Sequence, residues 1–277
     1  MTRVLVTGAA GFVGRHVVHA LTEAGCSVVA VVRRNGGAEP GNRLQVGTTV
    51  VTTADLFAES AVWWESLCAD VDVLVHTAWY VEPGRYLHAS ENIDCLIGSL
   101  IIARGAAAAG VRRFIGIGTC FEYDISSGVL SVDTPLKPVT PYAAAKASLF
   151  TMLSQWLPLQ SVELAWCRLF YLHGEGEDER RLVPYLRKQL ARGERAELSC
   201  GTQIRDFLDV RDAGRKIAAV ALGKQLGPLN ICSGVPITIR DLALGIATEY
   251  GRPELLNFGG RPNNLVEPLR VVGVPSL

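Results

Sequence analysis

The chain lacks the marks of several protein classes. Its seven cysteines are scattered singly through 277 residues, with no CxxC pair. The odd count and the spacing argue against a disulfide framework or a zinc site and for a reducing compartment. Charge of neither sign is in excess: 27 basic residues balance 27 acidic ones. No global field therefore suggests nucleic acid or an anionic membrane as a partner. Apolar runs are strand-sized or broken by charge, too short for a membrane span. Linkers, repeats and low-complexity segments are absent, and the five histidines form no metal pattern. His16 and His19 share a helix face, but no third ligand accompanies them. The first residues enter a strand pattern directly, without a signal peptide, so a cytoplasmic protein is expected. What the chain has instead is apolar residues, 49% against 19% charged. That is enough for a large buried core, in one two-lobed unit or in two domains.

The run Arg3–Thr7 is short, apolar and rich in β-branched residues. Gly8-Ala9-Ala10-Gly11-Phe12-Val13-Gly14 follows at once, and a helical pattern runs from about Phe12 to Ala24, stopped by Gly25. Strand, glycine turn and helix in that order let backbone approach a pyrophosphate resting on the helix N-terminus. The spacing is GxxGxxG rather than GxGxxG, and a tight βα turn without a ligand would use the same residues. Further strands read at Ser27–Val32, Thr49–Thr52, Val71–His76, Phe114–Gly118 and Glu163–Leu169, with helices notably at Ser90–Ala109 and Pro141–Leu157. Apolar strands alternating with helices imply an α/β fold, a doubly wound parallel sheet of Rossmann type covered on both faces. Beyond Leu169 the alternation loosens into a helix near Leu182–Arg192, short strands near Glu197 and Ile204–Leu208, and a helix near Val210–Leu222. Residues 1–169 therefore read as a dinucleotide-binding core. Residues 170–277 read mainly as a smaller substrate-binding lobe, with some segments returning to the core. A loop is expected from Gly36-Gly37 to Asn42.

Thr140-Pro141-Tyr142-Ala-Ala-Ala-Lys146 carries the chemistry. Thr140 is a good N-cap, and Pro141 suits the first helical position. The i,i+4 spacing puts phenol and ammonium on one helix face. A tyrosine that trades protons near neutrality needs its pKa lowered from about 10 by roughly three units, or about 4 kcal/mol. A nearby cation and a helix N-terminus both push that way. A Tyr and a Lys on an exposed helix face would fit the same spacing.

Taken together these stretches resemble the extended short-chain dehydrogenase/reductase family, the NAD-dependent epimerase/dehydratase group that acts on nucleotide sugars. The resemblance runs from Val4 to about Pro268. Thr7–Gly14 is similar to the family's TGxxGxxG turn, Asp55-Leu56 to its acid-Leu pair near the adenine, and His76-Thr77-Ala78 to the strand end lining the cofactor. Thr119-Cys-Phe-Glu-Tyr123 resembles the segment that carries the third catalytic group. Thr140–Lys146 matches PYxxxK. Cys167–Gly174 resembles RxxNxxGP with Tyr171 in place of the Asn, and Arg205–Asp212 resembles RDFxxVxD. The family's helix-four Asn would fall near Cys95, with Asn92 about one turn earlier.

The resemblance implies that Tyr142 is the general acid or base on a sugar oxygen and that Thr119 hydrogen-bonds the same oxygen. Lys146 would bind the nicotinamide ribose and lower the tyrosine pKa. Gly8, Gly11, Phe12, Val13, Gly14, Asp55, Leu56, Thr77 and Ala78 would hold the cofactor. Strand two ends in Arg33-Arg34, with no acid until Glu39. Arginine suits a 2′-phosphate, so NADPH is expected over NADH, although solvated loop arginines would look the same. Family dehydratases carry Asp-Glu directly after the catalytic Thr; here Cys120 and Phe121 stand there, which argues against dehydration. Glu122 fits either a substrate contact or a solvated loop charge. Tyr80, Thr119, Tyr171 and Arg205 are the expected substrate contacts. Arg205 would grip a nucleotide diphosphate, or else pair with Asp206 or Asp209; Trp79 and Tyr80 would stack on sugar or simply pack. The expected activity is NADPH-dependent reduction of a nucleotide-linked 4-ketosugar, 4-keto-6-deoxy or 3,6-dideoxy, in deoxysugar biosynthesis. A nucleotide-sugar epimerase with bound NAD and a non-catalytic dinucleotide-binding regulator remain alternatives. Family habit, together with Leu149, Phe150 and Leu153 at helical spacing, suggests a homodimer, though the same residues fit a core.

Overall fold

The computed structural model describes residues 1–34, 47–263 and 268–277; the loop expected at 36–42 lies outside them. Seven parallel strands form the main sheet. They are β1 (Arg3–Thr7), β2 (Ser27–Arg33), β3 (Thr49–Thr53), β4 (Val73–His76), β5 (Arg113–Thr119), β7 (Glu163–Leu169) and β11 (Gly227–Ile231). Their spatial order is β11-β7-β5-β4-β1-β2-β3. Strand order reverses between β1 and β4, and in open α/β sheets the crevice at such a reversal takes the ligand. A second sheet runs β12 (Pro236–Thr238), β10 (Ile204–Asp209), β14 (Arg270–Gly273), β6 (Val129–Leu130), with β8 (Tyr171–His173) also paired to β10. A two-stranded piece joins β9 (Ala196–Leu198) to β13 (Leu256–Phe258).

Helices α1 (Gly14–Glu23) and α6 (Val210–Leu222) cover one face of the main sheet; α2 (Ala61–Leu67), α3 (Glu91–Ala108) and α4 (Pro141–Leu159) cover the other. Helices α5 (Leu182–Arg192) and α7 (Ile239–Glu249) enclose a separate small core with β9 and β13. The chain after residue 169 thus divides its labour. Helix α6, read from sequence with the smaller lobe, buries Ala213, Ile217 and Ala221 against Val17, Val18 and Leu21 of the main core. Gly214 is what lets it close: a Cβ there would lie 2.7 Å from the His16 backbone. His16 itself is buried, with Nε2 3.1 Å from the Glu175 carbonyl, while His19 stays half-exposed beside Glu23. Leu149 and Leu153 are fully buried in the chain's own core, so they cannot mark a dimer face.

A buried relay ties the central strand ends together. The Ser99 hydroxyl donates its proton to the Cys95 carbonyl at 2.6 Å. His76 Nε2, 2.8 Å from Ser99 Oγ, must therefore be the donor of that pair. Its Nδ1 then accepts from Thr7 Oγ1 at 2.8 Å, linking β1 to β4 and to α3. Burial first, and the Lys146 charge second, push the imidazole down to about 3. The unfolded chain takes up a proton below the ordinary value of 6.5 that the native state refuses, so native stability falls as pH drops from 6.5 toward 3. Urea unfolding at pH 5 should give a stability about 2 kcal/mol below that at pH 7 from this group alone, at about 1.4 kcal/mol per unit. A His76→Gln variant should show a correspondingly shallower pH slope over the same window.

Candidate active site

The glycine turn opens at the carboxyl end of β1. Gly8 sits at φ +65°, where its missing side chain matters twice: a Cβ would be both strained and 2.8 Å from the Ala78 backbone. A Cβ on Gly14 would run into the Gly8 carbonyl and approach the Thr77 hydroxyl at 2.8 Å. Gly8, Gly14, Thr77 and Ala78 are thus packed on one another, and Thr77 Oγ1 donates to the Thr7 carbonyl at 2.6 Å. Gly11 is different. It is exposed, and an added Cβ would meet only the Gly8 carbonyl, at 3.0 Å. Its outer face is open to a ligand at the start of α1, beside Phe12 and Val13, and no acidic side chain lies in the first turn of that helix. A dinucleotide pyrophosphate fits this cradle. At the far edge Arg33 ends β2 in an exposed position, in register with Thr53 of β3. Asp55 is exposed and accepts the Phe57 amide at 3.0 Å; Leu56 is buried.

Thr119, Tyr142 and Lys146 converge beside this turn. Thr119 is the last residue of β5, and Tyr142 and Lys146 lie on the first turns of α4, capped as expected by Thr140 accepting from the Ala143 amide. Thr119 neighbours the Tyr142 phenol closely enough to influence its protonation. Lys146 Nζ donates to the Ile117 carbonyl at 2.7 Å and lies 3.7 Å from the centre of the Trp79 ring. The phenol is walled by the edges of Tyr86 and Trp79, at 4.9 and 6.4 Å between ring centres.

The electrostatics depart from the expected lowering of the phenol pKa by its lysine neighbour. Burial is the leading influence and pushes Tyr142 well above its ordinary value, with Tyr86 adding to it; Thr119 is the neighbour that opposes. The same burial pulls Lys146 down to about 7. Bringing the two groups together in an apolar pocket removes the water that would stabilise phenolate and ammonium alike.

Trp79, which sequence left between sugar stacking and packing, instead covers Lys146. Its Nε1 donates to Asn92 Oδ1 at 2.9 Å, and Asn92 Nδ2 donates to the Tyr86 and Ala89 carbonyls at 2.7 and 2.9 Å. Asn92 is thus the helix asparagine that braces backbone. The Cys95 thiol receives the Tyr80 amide, at 3.4 Å, and Tyr80 itself is half-buried.

Glu122 is neither a substrate contact nor a solvated charge. It is fully buried and paired with Arg168, 1% exposed, at 2.7 Å. A lone Arg inside the apolar β7 run signalled that an acid must meet it. Arg205 is 2% exposed; it donates to the Ile204 and Leu269 carbonyls and lies 5.3 Å from the Tyr171 ring centre. Asp206 accepts from the Ser233 and Gly234 amides, both at 2.8 Å. Tyr171 packs between Phe121 and Phe207. Arg205 and Tyr171 therefore stand together on the second sheet. Among the described residues, no group of three or more His, Cys, Asp or Glu is placed to hold a metal ion, and no helix is long and apolar enough to cross a membrane.

The family model for the NAD dependent epimerase/dehydratase family matches residues 4–232. The chain is 26% identical over 241 residues to a dTDP-6-deoxy-L-talose 4-dehydrogenase (NAD(+)) of Aggregatibacter actinomycetemcomitans, covering 86% of each chain. A UDP-glucose 4-epimerase of Thermus thermophilus, solved with NAD, has the same fold, with a TM-score of 0.84, 21% identity and coverage of 99% of this chain and 91% of that one. A dTDP-glucose 4,6-dehydratase of Streptomyces venezuelae, solved with NAD and TYD bound, also superposes at 0.84, with 23% identity and coverage of 99% and 88%. With the family model matched over most of its length, the chain belongs to the NAD dependent epimerase/dehydratase family and is an enzyme of the extended short-chain dehydrogenase/reductase type.

Proposed function

We propose that the protein reduces the 4-keto group of a nucleotide-linked deoxyhexose, with NADPH as the reductant. The observation that carries this reading is the placement of the Tyr142 phenol, a proton donor, on the same helix face as Lys146 and beside Thr119 at the end of β5. Reduction of a ketone needs a proton donor on the carbonyl oxygen, whereas alcohol oxidation needs a base. The dinucleotide, when bound, supplies hydride to the carbonyl carbon. Tyr142 gives its proton to the carbonyl oxygen, and Thr119 holds that oxygen from the other side. Lys146 would hold the ribose of the bound dinucleotide, and its positive charge beside the phenol would favour loss of the phenolic proton.

Two further features support reduction over dehydration. Cys120 occupies the position of the dehydratase acid and is itself buried, its thiol pushed up to about 12 by burial. Phe121 packs on Tyr171 and carries no proton to transfer. A similar protein named for dehydrogenation at C4 of a dTDP-6-deoxyhexose supports chemistry at that carbon, in the opposite direction. We assign residues 1–169 to the dinucleotide and the parts of 170–277 outside the main sheet to the sugar nucleotide. Arg205 would serve the diphosphate, beside Tyr171, and Tyr80 the sugar. For a homodimer the candidate surface is the outward side of α3 and α4, which exposes Ile93, Ile97 and Met152.

NADPH absorbance followed with a panel of nucleotide 4-ketosugars tests the reading. Consumption with at least one member is expected; no consumption, with interconversion of two sugars on bound NAD, would replace it by an epimerase. Tyr142→Phe should lower kcat by about 100-fold or more, the range general acid catalysis supplies, while leaving cofactor affinity within a few-fold. Arg33→Ala should raise the KM for NADPH by about tenfold with little effect on NADH, since one lost charge-assisted bond to a 2′-phosphate is about 1.5–3 kcal/mol. An equal effect on both cofactors would remove NADPH selectivity from Arg33.

A further inference from the structure

Beneath the Thr119–Tyr142 pair lies a buried polar network that the chemistry above does not use. Thr119 closes β5 and caps a single 3-10 turn, Cys120–Glu122. Glu122 folds back so that Oε1 accepts the Thr119 amide at 2.8 Å, while Thr119 Oγ1 accepts the Phe121 amide at 3.3 Å. This is a capping box, in which backbone and side chain of the threonine are both constrained. The other side of the carboxylate is held rigidly. Trp166 Nε1 donates to it at 3.1 Å, and Arg168 Nε donates to Oε2 at 2.7 Å. Arg168 in turn donates to the Tyr123 hydroxyl at 2.9 Å, which donates to Asn230 Oδ1 at 2.8 Å.

Room for this arrangement is built into β5. Gly116 and Gly118 face it. A Cβ on Gly118 would overlap both Glu122 Oε1 and Trp166 Nε1, and one on Gly116 would overlap the Trp166 ring. A cap alone needs no charge, because a neutral amide oxygen would accept the Thr119 proton as well. The ion pair adds stiffness: Glu122 cannot leave Thr119 without abandoning Arg168.

We propose that Glu122 is a positioning residue, holding Thr119 and through it the Tyr142 phenol in the orientation that proton donation requires. The kinetic consequence rests on the ketone-reduction reading above; the geometric one does not. Glu122 touches neither substrate nor cofactor in this role. A misplacement of the Thr119 hydroxyl by a fraction of an ångström to one ångström is enough to cost up to about 100-fold in rate.

The test compares two charge-free pairs, Glu122→Met with Arg168→Met and Glu122→Gln with Arg168→Met. Both remove the ion pair and keep similar volumes, and only the second keeps an acceptor for the Thr119 amide. The first should lose about 10- to 100-fold in kcat with the KM for ketosugar and the cofactor Kd within about threefold, and the second should recover most of the loss. In a Thr119→Ala background the first pair should cost less than about twofold more, because no hydroxyl remains to be misplaced. If the Met pair does not fold, Glu122→Asp gives the same comparison in a chain that keeps both charges but no longer reaches the amide. Crystal structures provide a readout free of turnover: the Thr119 hydroxyl should shift away from the Tyr142 phenol in the Met pair, or in Glu122→Asp, and keep its place in the Gln pair. Unchanged kcat in the Met pair, an equal loss in the Thr119→Ala background, or a Thr119 hydroxyl that keeps its place beside the Tyr142 phenol would overturn the proposal. Absence of turnover in the unmodified enzyme would count against the ketosugar reading alone, leaving the crystallographic comparison to decide on Glu122.

Discussion

Parallel pairing of β1, β4 and β5 is the constraint on which the rest depends. Because the three strands run the same way, Thr7, His76 and Gly116 lie side by side in register, and all three chains turn at one edge of the sheet. At that edge stand the glycine turn after β1, Thr77-Ala78 after β4 and Thr119 at the end of β5. The relay Thr7–His76–Ser99–Cys95 then locks the edge to α3, and it works only while the imidazole is neutral. A site built this way inherits its precision from the sheet rather than from loops.

A second theme is that burial sets the protonation states here more than neighbouring charge does. His76 stays neutral, Lys146 is brought near neutrality and Tyr142 is kept protonated, each by loss of water first. The apolar walls, Trp79 and Tyr86 among them, therefore belong to the chemistry as much as the polar groups. Trp79 holds Lys146 on its face while Asn92 holds Trp79, so an aromatic residue and an amide from different segments jointly fix one ammonium.

The alternating strands and helices, the glycine turn and the capped Tyr–Lys helix were legible from residue order because each depends on local spacing: period-two and helical patterns, a cap, a proline at the first turn. Most boundaries fell within one or two residues. Less legible were β8, β12, β13 and β14, each three or four residues long and paired across long stretches of chain. Strands this short carry too little pattern of their own. Helix α6 was found, yet its place was not, because an amphipathic helix does not state which sheet it will cover.

Residue order by itself determined the fold class and the glycine turn and made Tyr142 and Lys146 candidates, since these rest on local pattern and on neighbours within a few positions; Thr119 became a candidate only through the resemblance to the family. Tertiary structure alone decided that Glu122 meets Arg168 across 46 positions, that Trp79 covers Lys146, and that Arg205 is buried beside Tyr171. It also decided the direction in which the phenol titrates. Those outcomes depend on which groups lose their water together, a property of packing between distant segments that no local spacing encodes.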